Sequence, residues 1–558
     1  MDQLSSLPIT ILHDVLSRLP YKEATRTSIL SKAWKETWST FPILFFDESR
    51  YKDLLFRKYQ ENPKRLEYYG RQTQKFLLNV DTTLQRFTEK GLVGKELKLK
   101  TGFSDRLYKM PRLDFWLDTA SKIGVQVLEL ELITPASSLD EVPQWDDECY
   151  KYYNLPPSVL KYTSLVKLIL SGPISLDQSF LNHQIRFASL QVLSLMDVHL
   201  SDEQVIHNII SCCPLIEYIT LKTCLGLDSM TLHNLPKLKG IKVWRIANII
   251  VVDAPKLEKF HLVGDITLPP MLNLDMCKNL AGLILERSGI TIDTQWLCET
   301  FHKFPLLERL ELIGSTMSLS VHLSSAQLKV LRIIRGYKLV ELQIDAPNLY
   351  FFECGIINGD NVPAIAFLNR SRQLEVNVST QINHPRHLPS FRKFLANIKC
   401  RNVLASLDLR IMHPAEEWNL VEAQDISVSP PRIKHLKLQL SLFTTNKVAC
   451  SSLIMMLLWC CRPTIISMKF SLPTDIIFVE LLCKKLMRLL KGMSNCYCCF
   501  KNSNCWLERC YDRFNYNLED IKVTISSRID EKSLDCKSFL DALPTLPPEE
   551  DISFWLEW

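Results

Sequence analysis

A six-residue phrase, L-x-x-L-x-L with an aliphatic or aromatic residue at each L, constrains this 558-residue chain more than anything else in it. It starts at Leu165, Leu190, Ile216, Leu238, Leu257, Leu280, Leu307, Leu328 and Leu349. Successive spacings are 25, 26, 22, 19, 23, 27, 21 and 21 residues. A unit of that length holds one short strand and a return segment, and neither can bury its leucines alone. Neighbouring units must stack, which sets their strands side by side over one continuous leucine core.

Periods of about 20–29 residues are those of leucine-rich repeats. The expected fold class is α/β: a helical N-terminal segment followed by a leucine-rich-repeat solenoid over residues 93–475, with a parallel sheet on its concave side. The longer spacings have room for return helices. Ser201 with Gln204 makes a capping-box pattern ahead of Val205, Ile206, Ile209 and Ile210, and Asp293 precedes Trp296, Leu297 and Phe301. The shorter spacings predict extended or 3₁₀ returns. The Asn or Cys that follows the second strand leucine in consensus repeats is mostly absent, Cys224 being an exception, so a less regular coil is expected. Fainter units start at Leu404, Ile433, Ile465 and Leu518. Residues 476–558, with a helical pattern at Val479, Leu482, Leu486, Leu489 and Leu490, read as a capping region. Ahead of the repeats, Phe76, Leu77, Val80, Leu84 and Phe87 mark a helix within a helical linker over residues 49–92. Strands at 96–99 and 127–130 flank a second helix at Leu113, Trp116, Leu117, Ala120 and Ile123.

Residues 1–48 follow a different pattern. Ile11, Leu12, Val15, Leu16 and Leu19 share the one-face spacing of an α-helix, with Pro8 tolerated in its first turn and Pro20 ending it. A second pattern carries Ala24, Ser28, Leu30, Trp34 and Trp38. Six basic and six acidic residues balance over the first fifty, so any association here must rest on apolar contact. The face either packs on the chain's own next domain or covers itself with another protein.

The stretch LSSLPITILHDVLSRLPYKEATRTSILSKAWKETWSTFPILFF resembles the F-box of plant F-box/leucine-rich-repeat proteins. The match departs at Ala33 and Lys35, where that family usually shows Arg. The resemblance implies a Skp-type adaptor of a cullin–RING ubiquitin ligase as partner. It implies Leu7, Pro8, Ile11, Leu12, Val15, Leu16, Leu19, Pro20, Leu30 and Trp34 as the adaptor-binding residues. An unknown target protein would then be held by the repeats. Two other readings stay open: a small-molecule (hormone) co-receptor with an inositol phosphate in the solenoid, or a repeat scaffold that joins no ligase. The C-terminal FBD domain of some relatives has no convincing copy here.

Alternation along each strand places residues two, four and six after the repeat start on the sheet's open face. On that face Lys222, Lys242, Trp244, Lys259, His261, Arg309, Glu311 and Arg332 are the substrate-binding candidates. A long insertion at 135–153, mixing acids with Trp145, Tyr150, Tyr152 and Tyr153, is a second candidate.

No phosphate-binding, dinucleotide-binding or nucleophile-elbow motif occurs, so no catalytic residue and no cofactor is expected. No metal is expected either. Pro385 interrupts His384-Pro-Arg-His387, and Cys496, Cys498, Cys499, Cys505 and Cys510 lack paired C-x-x-C spacing. With 66 basic and 61 acidic residues, the net charge of +5 does not argue for nucleic acid. The longest charge-free run, 448–461, is too short for a bilayer and suits a buried helix. Eighteen Cys without a framework, after an opening that lacks a basic n-region, suggest free thiols and a cytoplasmic and/or nuclear location.

Overall fold

The computed structural model describes residues 7–51, 63–102, 106–134, 152–182, 184–246, 248–265, 269–356, 363–371, 373–382, 404–412, 432–441, 461–469, 473–490, 518–526, 531–543 and 551–557, with isolated positions between 392 and 458. The chain divides into two compact units, residues 1–280 and 281–558.

The first unit opens with three short helices, α1 (Ile9–Arg18), α2 (Tyr21–Thr27) and α3 (Lys32–Ser39). Pro8 and Pro20 stand at the N-caps of α1 and α2, where a missing N–H costs little. Ser31 caps α3, its side chain accepting from the Trp34 backbone N–H at 3.2 Å. Leu12, Leu16, Ala24, Trp34 and Phe41 form the core of this bundle, with Trp38 and Ile43 packed against it.

The chain then becomes β1 (Ile43–Asp47), α4 (Pro63–Glu89), β2 (Glu96–Gly102), α5 (Arg106–Lys122) and β3 (Val127–Ile133). β1 pairs in parallel with β2, from Ile43 opposite Glu96 to Asp47 opposite Lys100. The helical segment thus ends as a strand of the repeat sheet. α4, within the stretch expected as a helical linker, runs between two strands of the sheet. Its Phe76, Leu77, Val80, Leu84 and Phe87 are all buried, as are Leu113, Trp116, Leu117 and Ala120 of α5.

One buried polar knot ties these pieces together. Glu48, directly after β1, has no exposed side-chain surface. Its carboxylate accepts from Lys109 Nζ of α5 at 2.8 and 3.0 Å, Thr101 Oγ1 at 2.6 Å, the Gly102 backbone N–H at 2.9 Å and Thr73 Oγ1 of α4 at 3.3 Å. Lys109 also donates to the Gly102 carbonyl at 3.0 Å. Two ions this deeply buried persist only because each is fully partnered.

The repeats of the first unit continue as β4 (Lys167–Ser171), β5 (Val192–Met196), β6 (Tyr218–Lys222), β7 (Gly240–Trp244) and β8 (Lys259–Val263). Each pairs in parallel with the next, without a register break. The leucines of the repeat phrase lie inside: Leu165, Leu170, Leu190, Leu193, Leu238, Leu257 and Leu262 are fully buried. The 190-to-216 spacing holds the expected return helix, α6 (Glu203–Ser211). Its cap is Asp202, which accepts from Gln204 N at 2.8 Å, not Ser201 as the sequence pattern suggested. The carboxylate one residue nearer reaches the first-turn N–H, so the serine is left outside the helix. The shorter spacings return through brief parallel strands at Met230–Leu232, Ile249–Val252 and Met271–Asn273.

Many turns after the sheet strands share one backbone conformation despite the missing Asn. Gly172, Asp197, Thr223, Arg245, Arg287, Gly314 and Arg335, each directly after a sheet strand, all have positive φ. Six of their N–H groups donate to a carbonyl at or next to the end of the strand of the next repeat: Gly172 to Met196, Asp197 to Lys222, Arg245 to Val263, Arg287 to Ile313, Gly314 to Ile334 and Arg335 to Gly355, at 2.7–2.9 Å. A ladder of backbone bonds does here what a side-chain amide does in consensus repeats. The position where Asn is expected holds Cys224, whose Sγ donates to the Leu195 carbonyl at 3.6 Å, and the buried Ser288 and Ser315.

The second unit runs β9 (Gly282–Glu286), α7 (Thr294–Lys303), β10 (Arg309–Ile313), β11 (Val330–Ile334), β12 (Phe351–Ile356), β13 (Glu375–Ile382), β14 (Leu404–Met412), β15 (Arg432–Ser441) and β16 (Arg462–Lys469), its strands parallel in that order. Asp293 caps α7 as expected, accepting from Trp296 N at 2.7 Å. The final elements are α8 (Pro473–Leu490), β17 (Asp520–Ser526), β18 (Glu531–Leu534), α9 (Cys536–Ala542) and β19 (Asp551–Glu557). β19 inserts between β16 and β17, antiparallel to both, and β18 is antiparallel to β17. The faint unit at Leu518 is therefore not a repeat. Its alternating pattern belongs to an antiparallel strand, which periodicity alone cannot distinguish from a parallel one.

Candidate functional site

Two surfaces are candidates, one on the helical bundle and one on the open sheet face. The apolar residues of α1 divide into a buried set and an exposed set. Leu12 and Leu16 turn inward to Trp34 and are 4%, 1% and 5% exposed. Of the ten residues expected to meet an adaptor, these three are instead the bundle's own core. Leu7, Pro8, Ile11, Val15, Leu19, Pro20 and Leu30 remain exposed. Ile9 and Ile29, absent from that expectation, join them, Ile29 at 83% exposure in the turn after α2. The apolar residues of α1 therefore serve two faces, one buried in the bundle and one exposed.

Aromatic packing holds the bundle on β1. Tyr21 meets Trp38 and Phe45 edge-on, with ring centroids 5.3 and 5.0 Å apart, and the Arg50 guanidinium lies 4.7 Å from both the Tyr21 and Phe45 rings. Burial pushes the Tyr21 hydroxyl up to about 12. His13 lies 3.2 Å from both the Thr37 carbonyl and Thr40 Oγ1, and burial lowers its pKa.

On the sheet, the substrate-binding candidates separate into two groups. Arg309, Glu311 and Arg332 in the second unit are consumed by one another. The buried Glu311 takes Arg309 at 2.5 Å and Arg332 at 2.9 Å, and Arg332 also holds Glu353 at 2.7 Å. This row is an internal ion network rather than a set of free ligands, because the 21-residue repeat sets these side chains opposite one another. In the first unit, Lys222, Lys242 and Lys259 are exposed, and Trp244 packs on His261 with ring centroids 5.4 Å apart. Tyr218 is exposed beside them. The structure thus brings five of the eight candidates into one patch and neutralises the other three.

Of the insertion at 135–153, residues 135–151 lie outside the described residues. Tyr152 stacks on His199 at 4.7 Å and Tyr153 donates to Asp114 at 2.6 Å. The 384–387 and 496–510 segments also lie outside the described residues. Among the described residues no group of acidic, Cys or His side chains could hold a metal ion, and no helix is long and apolar enough to cross a membrane.

Comparison with known proteins finds two family matches in the first unit. Residues 4–46 match the F-box domain family, and residues 113–278 match the family described as FBD-associated F-box protein At5g56370, LRR repeats. Among similar proteins of Arabidopsis thaliana, a putative F-box protein, At1g49610, is 29% identical over 47% of this chain and 54% of its own length. A putative F-box/FBD/LRR-repeat protein, At5g62970, is 26% identical over 63% of this chain and 73% of its own. Another, At4g00315, is 30% identical over 40% of this chain and 43% of its own, so several of these matches span only about half of the relative.

Proposed function

We infer, from its membership of the plant F-box/leucine-rich-repeat family, that this chain is the substrate-recognition subunit of a Skp–cullin–F-box ubiquitin ligase. It carries no chemistry of its own. The F-box bundle docks on a Skp-type adaptor and the repeats hold a target protein. Target lysines then meet the ubiquitin-charged enzyme at high effective concentration, so the contribution is proximity.

One observation carries the reading. After the bundle has built its core from Leu12, Leu16 and Trp34, a second apolar set remains exposed on α1 and the turn after α2: Leu7, Ile9, Ile11, Val15, Leu19, Ile29 and Leu30. A monomer gains nothing from so large an apolar surface, whereas a partner that covers it does. The F-box family match over these residues supports a Skp-type adaptor as that partner.

The test uses outward-facing substitutions in the full-length chain. Leu7→Ala with Pro8→Ala, and separately Ile11→Asp, should abolish capture of a recombinant plant Skp-type adaptor. The circular dichroism of the repeats should stay unchanged. Full adaptor capture by either variant would reject this face.

A further inference from the structure

We propose that the open face of β6, β7 and β8 binds an extended, carboxylate-rich segment of the target protein; this deepens the substrate-receptor reading and rests on it. Parallel register lays nine positions of these strands out as a grid. Tyr218, Gly240 and Lys259 form one row, Thr220, Lys242 and His261 the next, and Lys222, Trp244 and Val263 the third. The three lysines therefore lie on one diagonal, with Tyr218 and Thr220 to one side and Trp244 and His261 to the other. A Cβ at Gly240 would lie 2.9 Å from the Tyr218 ring, so glycine there leaves room for the ring to lie across the row.

The charge on this diagonal is uncompensated. Lys222, Lys242 and Lys259 are all exposed, and none has a carboxylate within ion-pair distance among the described residues. The neighbouring acid Glu217 stands just outside the grid and is taken by Lys239 at 2.9 Å. The next strand outward, β5, presents Val192, Ser194 and Met196 and no charge. The contrast with the second unit is direct, since there Arg309 and Arg332 are already matched by Glu311 and Glu353.

Spacing decides which anion fits. Strands lie about 4.8 Å apart and residues two apart along a strand about 6.6 Å, so successive lysines step by about 8 Å. An extended peptide presents alternate side chains about 7 Å apart, so acidic residues at every second position meet one lysine each. A phosphate or an inositol polyphosphate needs cations converging on one point, and favours the forked donors of Arg, of which the grid has none. Trp244 and Tyr218 then flank the peptide with apolar surface for the intervening residues.

The test is titration of full-length protein into a fluorescein-labelled peptide alternating Glu with Val and Leu, read by anisotropy. Saturable binding is expected, weakening as salt is raised. Lys222→Glu, Lys242→Glu and Lys259→Glu combined should lower affinity more than tenfold, while Arg309→Glu leaves it unchanged. Absence of saturable binding, equal binding by the triple variant, or binding of a phosphoserine peptide in preference to the Glu peptide would each overturn the proposal. Adaptor capture by the same preparation reports separately on the ligase reading, because no residue of the diagonal lies in the F-box bundle.

Discussion

His13 makes the bundle sensitive to pH. Burial lowers its pKa below the ordinary 6.5, so the folded state resists the proton that the unfolded chain accepts. The unfolded state binds more protons in this window, and stability therefore rises with pH. The contribution is intact above pH 6.5 and shrinks as pH falls below it. Thermal unfolding of the α1–α3 bundle, followed by Trp34 and Trp38 fluorescence, should shift to lower temperature between pH 7 and 5. His13→Gln should flatten that dependence, and an unaltered slope in the variant would remove His13 from the account. Sequence alone did not disclose the role of this residue, because its neighbours Thr37 and Thr40 lie on another helix and its end. The Glu48–Lys109 pair was hidden for the same reason, its partners being 61 residues apart along the chain. By contrast, the neutralisation of Glu311 by Arg332 was within reach. Both stand four residues past their repeat starts, and the register alone sets them opposite.

At the level of elements, the strands were readable because the repeat phrase encodes two things at once. Alternation fixes which residues are buried, and the spacing fixes which strands neighbour one another. The turns were not readable in that way, since φ sign leaves little trace in residue type: Arg245, Arg287 and Arg335 occupy the same left-handed position as Gly172 and Gly314. These positions are nevertheless unequal. At Gly172, φ is +101° and an added Cβ would fall 2.0 Å from the Leu132 carbonyl oxygen. Gly172→Ala should therefore lower stability by more than about 1 kcal/mol, since the backbone conformation is incompatible with a side chain. Asp197→Ala, at φ +57°, already tolerates a Cβ and should cost less. Urea denaturation of the two variants tests the ranking, and equal midpoints would contradict it. The width of the α1 stripe was legible, but its division was not: deciding which leucines turn inward requires knowing where Trp34 packs.

For the whole molecule, the most useful lesson concerns where the helical segment stops. The expected division placed the F-box at 1–48, and the family match ends at residue 46, inside β1. Removing residues 1–48 to trap a target would strip the partner from β2 and leave Lys109 buried without its carboxylate. Loss of one member of such a pair costs about 3–5 kcal/mol. Deletion of residues 1–40, which spares both β1 and Glu48, should instead stay soluble and monomeric by size-exclusion chromatography while losing adaptor capture. Stable folding of the longer deletion would show that β1 does not belong to the sheet's working structure, and aggregation of the shorter one would show that the strand also needs the helices before it.

Strand β1 and the carboxylate behind it also bear on how such chains can be recombined. A hybrid joined at the edge of the sequence motif would splice one parent's strand onto another parent's Thr101 and Lys109, and the seam would fall through the knot. The natural cut lies downstream of α5, so that the helical bundle and the opening coil are inherited as one heirloom, and only the later coils are free to be exchanged.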